Sequence, residues 1–117
     1  MATKDRKQAL MHLRDKVEAG ESRVQVEEAA FAVWPDGVDH FKATHASAAH
    51  CGSLDAAKAL HEAVLPGWVA GVSENLHGHG WYGWAQTHEE HVEARNDNPA
   101  RAWLIAILEA LIVKESN

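Results

Sequence analysis

Residues 68–95 read WVAGVSENLHGHGWYGWAQTHEEHVEAR, and this stretch decides the fold. Trp68, Ala70 and Val72 alternate with Val69, Gly71 and Ser73, the period-two pattern of a strand over Trp68–Glu74. Asn75–Gly80 holds two glycines and reads as a hairpin loop. Trp81–Gln86 is a second strand, rich in aromatics, in which Gly83 suits a close approach of another backbone. Thr87–Glu90 is a polar turn, and His91–Arg95 a short third strand. Strands joined by such short connections form an antiparallel meander.

Helices border the meander on both sides. Upstream, Ser53 is a suitable N-cap and Asp55 suits the positive end of a helix. Leu54, Ala57, Leu60, His61 and Val64 then mark one face, and Pro66-Gly67 closes the helix. Downstream, Asn98 can cap and Pro99 fits the first helical position, where no backbone N–H is needed. That helix runs to about Lys114 with a broad stripe of Trp103, Leu104, Ile107, Leu108, Leu111 and Ile112.

The first 51 residues read as mainly helical. Leu10, Leu13 and Val17 give a helix over Lys4–Ala19, with Gly20 as its stop. Val26, Ala29, Ala30 and Val33 give a second over Val24–Trp34, ended by Pro35-Asp36-Gly37. Asp39–His50 is rich in Ala and His and lacks Leu and Ile, so it reads as irregular or weakly helical. The expected class is α+β: a helix, a three-stranded antiparallel meander and a helix over 52–117, with an added N-terminal helical segment. All of it forms one domain over 1–117, layered as an α-β-α sandwich.

Composition narrows the function classes. A chain of 117 residues, 46% hydrophobic, is the size of one domain with a real core. The net charge of −6 argues against direct nucleic-acid binding, which needs clustered cations, but lets the surface compete for the basic clefts of nucleic-acid-binding proteins. Cys51 is the single cysteine, so no internal disulfide forms and a reducing compartment is expected. No apolar segment follows the charged start, and the run from Ala102 to Val113 is too short for a bilayer. A cytoplasmic protein with no membrane contact is the expectation.

Several segments resemble a known family. Gly52-Ser53-Leu54-Asp55-Ala56-Ala57, His61-Glu62-Ala63-Val64-Leu65-Pro66-Gly67-Trp68 and Asn98-Pro99-Ala100-Arg101-Ala102-Trp103-Leu104 are similar to the phage ABA-sandwich domain. The resemblance covers roughly 52–114. It implies a phage or prophage origin, a sheet between helices and the cytoplasm of a bacterial host, and it brings no catalytic residues with it.

Nine histidines invite a metal reading. His77 and His79 sit two residues apart, and His88 and His91 flank Glu89 and Glu90. The pairs lie at opposite ends of the second strand, about five residues of ~3.3 Å each apart, which argues against one shared site. His88-Glu89-Glu90-His91 also has its second histidine one residue early for a zinc-protease helix. No metal and no cofactor are expected, with His77, His79, His88 and His91 the weaker candidates. His40, His45 and His50 recur every five residues, about 140° apart around a helix, and read as polar surface. His61 reads as a partly buried, hydrogen-bonded residue. There is no nucleophile elbow, phosphate loop or dinucleotide fingerprint, so catalysis is not expected.

The tryptophans are more informative, five in one small domain. Alternation puts Trp81 and Trp84 on opposite faces of the sheet, with Tyr82 beside Trp84. A sandwich covering both faces buries all of them, and an open face exposes Tyr82 and Trp84 as an anchor pair. Trp34, beside the Pro35 turn, reads as an exposed anchor. The expected function is a phage accessory protein that inhibits a bacterial defence system by contact with a host protein, as an anti-CRISPR protein does. Trp34, Asp36, Tyr82, Trp84, Glu89 and Glu90 are the expected partner-binding residues. Two alternatives stand beside it: an oligomeric sponge for a nucleotide immune signal, using Trp84, Arg95 and Arg101 in a homo-oligomer, and a histidine-based metal-dependent enzyme.

Overall fold

Hydrogen bonds from side chains to exposed backbone N–H groups set where the helices begin. In the computed structural model, which describes residues 3–35, 40–76 and 78–116, Ser22 Oγ accepts from Gln25 N and Ser53 Oγ from Ala56 N at 3.0 Å. Asn98 Oδ1 accepts from both Ala100 N and Arg101 N. These starts define α2 (Arg23–Val33), α4 (Leu54–Val64) and α5 (Pro99–Ser116). α1 (Thr3–Glu18) and α3 (His40–His50) complete the helices, and β1 (Val69–Glu74), β2 (Trp81–Gln86) and β3 (His91–Asn96) form the sheet. The strands are antiparallel in the order β1-β2-β3, with Gly71 opposite Trp84 and Trp84 opposite Glu93.

The α+β class and the helix–meander–helix order are as expected from the sequence. The layering is different, because the sheet is not the middle layer. α5 is the middle layer: it packs on all three strands from one side and on α1, α3 and α4 from the other. That accounts for its composition. Ala100, Ala102, Leu104, Ile105, Ala106, Ile107, Leu108, Ala110, Leu111 and Ile112 are all buried, so the helix is apolar around its whole circumference, as a helix covered on two sides must be. Arg14 of α1 reaches Glu109 of α5 at 3.1 Å, so one of the few charges on α5 is paired across the layer.

The 39–50 segment departs from the irregular reading. From His40 it is the regular helix α3, wedged between α2 and α4. Ala43, Ala46, Ser47 and His50 are all buried and fall within an arc of about 100° on a 3.6-residue helix. Small side chains let the neighbouring helices come close, and alanine has the highest helix propensity. Tertiary contact therefore replaces the Leu and Ile that a sequence pattern looks for. The same arc corrects the reading of His50 as polar surface: the five-residue spacing turns it inward, where it is only 1% exposed.

The contact between α5 and the sheet is set by Gly83. A Cβ at that position would lie 2.3 Å from the carbonyl carbon and oxygen of Ala102. Gly83 therefore faces α5, and alternation places Trp81 and Ala85 on the same face. Their neighbours Tyr82, Trp84 and Gln86 point the other way. None of α1–α4 packs substantially on that other face.

Candidate functional site

The face of the sheet turned away from α5 is the candidate site. Tyr82 and Trp84 occupy its central strand, each half-buried. Register places Ser73 and Arg95 beside Tyr82, and Gly71 and Glu93 beside Trp84. Gly71 has a specific use here. A Cβ on it would lie 2.8 Å from Cζ2 of the Trp84 ring, so its absence lets the indole lean across β1. On the other side, the Arg95 guanidinium sits 4.8 Å from the centroid of the Tyr82 ring, a cation–π pair. His91 Nε2 donates to Glu93 at 3.1 Å, and its Nδ1 lies 2.9 Å from the Gln86 side chain. These contacts hold the polar rim of β3 in place. The exposed Val69 adds apolar surface on β1, next to a shallow depression lined by Gly67, Val69, Gln86, Thr87 and His88.

The β2–β3 turn carries acid at the end of this face. Thr87 Oγ1 accepts from the backbone N–H of Glu89 and of Glu90, and Thr87 N donates to Glu90 O. The turn is tight, Glu89 is held out in solvent and Glu90 is partly buried. Between Trp68 and Asp97 the acids are Glu74, Glu89, Glu90, Glu93 and Asp97, and the single base is Arg95. About a quarter of the chain thus holds −4 of its −6 net charge.

The other expected site residues fall elsewhere. Trp34 is not an exposed anchor: it is 1% exposed, and its backbone N–H donates to Ala30 O at the C-cap of α2. Val26, Ala30, Val33 and Trp34 stand at i, i+4, i+7 and i+8, so the ring continues the buried stripe of α2. The helical period of α2 carries the ring inward, although Pro35 marks a turn directly after it. Asp36 lies outside the described residues. Arg101 is on α5, where its Nε donates to the carbonyl of His50. It therefore holds two helices together and does not join Trp84 and Arg95 on the far side of the sheet.

Of the histidines considered as ligands, His77 lies outside the described residues, and His79 and His88 are exposed at separate turns. Among the described residues no three His, Cys, Asp or Glu side chains are placed to hold one metal ion. His61 is buried, with Nε2 donating to Trp68 O at 3.0 Å, the structural role expected of it. His50 is a buried polar group that sequence reasoning placed wrongly. Its Nε2 donates to Glu21 O at 2.7 Å, which leaves Nδ1 as the unprotonated atom, buried and without a partner. Burial lowers its pKa, the Arg101 charge adds to the effect, and the hydrogen bond to Glu21 opposes it.

Fold and site together define a small α+β protein with a helical body and one uncovered, aromatic, acid-rimmed sheet face. Among the described residues no helix is long and apolar enough to cross a membrane. No family model, curated protein or solved structure matches the chain. The resemblance to the phage ABA-sandwich domain rests on the sequence motifs alone.

Proposed function

We propose that this chain is a phage accessory protein that acts by binding, and that the open sheet face seats a basic surface of a host protein. The nucleic-acid cleft of a defence effector is the concrete case. One observation carries the reading: Tyr82 and Trp84 lie side by side on a sheet face without helical cover, in a segment that has five acids and one base and so holds −4 of the chain's −6 net charge. Aromatic side chains on a rigid strand are efficient anchors, because much area is buried for little lost side-chain freedom. The surrounding acids speed encounter with a cationic partner and select against acidic ones. Occupying such a cleft blocks nucleic acid by exclusion and requires no catalysis.

The test is capture from bacterial host lysate at low salt, with the parent protein and Trp84→Ala side by side. The parent should retain a nucleic-acid-binding protein, release it as salt rises, and compete with nucleic acid for it. Equal capture by Trp84→Ala, or a partner that keeps its nucleic acid while bound, would refute the proposal.

A further inference from the structure

The outer edge of β1 is a second surface, distinct from the open face. Two turn hydrogen bonds fix which backbone groups it presents. Asn75 N donates to Gly80 O and Thr87 N to Glu90 O, and bonded pairs recur at every second residue of an antiparallel ladder. Val69, Gly71 and Ser73 therefore direct their N–H and C=O groups to β2, while those of Ala70, Val72 and Glu74 point away from the sheet. On β3 the outward residues by the same count are His91, Glu93 and Arg95. Ionisable residues of that kind discourage pairing at a free edge, so β3 is guarded. β1 is not: residues 69–73 carry no charge and no proline, and the register through them has no bulge. The strand is paired on one side only, and among the described residues it packs substantially on β2 and α5 and on no other element.

We infer that β1 pairs antiparallel with β1 of a second copy, joining the two sheets into one. The two ends of the edge complement each other. Leu76, just past the C-terminal end of β1, is 84% exposed, the most of any large apolar residue among those described. At the N-terminal end lies the depression of about 500 Å³ lined by Gly67, Val69, Gln86, Thr87 and His88, where Val69 is itself exposed. Antiparallel pairing sets the C-terminal end of one β1 against the N-terminal end of the other. Each leucine then meets the other copy's depression, and the two-fold axis repeats the contact. An unrelated strand supplies main-chain bonds without that match. With Val72 opposite Val72 of the second copy, Ala70, Val72 and Glu74 of both chains are all bonded, about six main-chain hydrogen bonds. This register sets Leu76 level with Trp68 of the second copy, between Gly67 and Val69. It sets Glu74 opposite Ala70, so like charges do not face each other. Trp68 O, already engaged by His61, is not required. The axis stands perpendicular to the sheet, so both Tyr82–Trp84 pairs end on one continuous face. Dimerisation itself is independent of what that face binds.

Sedimentation equilibrium of the full chain over about 1–200 μM tests this. One strand edge with two leucine contacts is no larger than the ~1,200 Å² of the smaller specific interfaces, so a dimer with a micromolar Kd is expected. Val72→Pro removes an outward N–H and leaves the bonds to β2 in place. Leu76→Asp alters an exposed side chain, so the variant folds. Each should weaken dimerisation about tenfold or more. Glu93→Pro makes the same backbone change at the β3 edge, and Val24→Asp removes an exposed apolar side chain from α2. Both should leave dimerisation unchanged. Oxidative cross-linking in a Cys51→Ser background reads the register. Val72→Cys should form a disulfide dimer, its Cα atoms about 5.5 Å apart across the axis. Ala70→Cys, offset by about four residues or ~13 Å, should not. A monomer throughout the range, a dimer untouched by both Val72→Pro and Leu76→Asp, equal weakening by Glu93→Pro or Val24→Asp, or cross-linking through Ala70→Cys as fast as through Val72→Cys would each overturn the inference.

Discussion

Replacing Gly83 with alanine forces a side-chain atom into the closest approach between β2 and α5. The new Cβ would lie 2.3 Å from the Ala102 carbonyl and 2.5 Å from Trp103 N. Non-bonded heavy atoms settle near ~3.5 Å, so the helix must retreat from the sheet by about 1 Å. Both partners are backbone, in a strand bonded on each side and in a helix packed on each side, so neither yields as a side chain would. A gap of that size forfeits roughly a quarter to a half of the dispersion attraction across the interface. Overpacking of this kind costs about 3 kcal/mol, at the upper end of the usual range. Alanine recovers ~0.5–1 kcal/mol through its stiffer unfolded chain.

A net loss of about 2 kcal/mol remains, which lowers Tm by about 8 °C for a domain of this size. Urea unfolding followed by tryptophan fluorescence and thermal melts by circular dichroism measure it. Gly67→Ala is the comparison: φ there is +88°, with nothing within 4 Å of the added Cβ, so only conformational strain of about 1 kcal/mol applies. A Gly83→Ala protein within 1 kcal/mol of the parent, or less affected than Gly67→Ala, would refute the proposed contact between β2 and α5.

Four further outcomes follow from the same geometry. Trp84→Ala should weaken partner binding by about 2 kcal/mol, roughly 30-fold, while the urea midpoint moves little, as titration calorimetry and denaturation will show. Gly71→Ala should displace the Trp84 ring, whose far edge is the atom it meets, and so lower affinity several-fold at a stability cost under ~1 kcal/mol. Trp34→Ala should do the reverse, losing about 3–5 kcal/mol of stability with unchanged affinity per folded molecule, read from unfolding curves alongside binding isotherms. His50 is held below its ordinary pKa, so the unfolded chain takes up that proton first as pH falls. Its contribution is therefore full above ~6.5 and is lost progressively on acidification. His50→Gln keeps the donor to Glu21 O, so urea midpoints at pH 7.5 and 5.5 should differ less in the variant than in the parent.

The local elements were legible because their signals are local. Asn98-Pro99 places a side-chain acceptor and a residue without N–H where a helix start needs them, and Asn98 accepts two backbone N–H groups there. The alternation through Trp68–Glu74 and Trp81–Gln86 is a property of the strand itself. The partners of each surface were not legible. Ala43, Ala46 and Ala49 form a face only because α2 and α4 lie against it, and no hydropathy pattern distinguishes such a face from a solvated alanine run. Trp34 fits both a buried stripe and an exposed turn until the rest of the helical layer is present.

By itself, then, the sequence determined the caps, the three strands, the opposite facing of Trp81 and Trp84, and the acidic net charge. These depend on residues a few positions apart and on charge. Only the tertiary structure decided that α5 is the middle layer, that Gly83 faces it, and that Tyr82 and Trp84 consequently lie on the uncovered side. One apolar helix can be covered by a sheet, by helices or by both, and the choice depends on contacts between residues far apart in the chain.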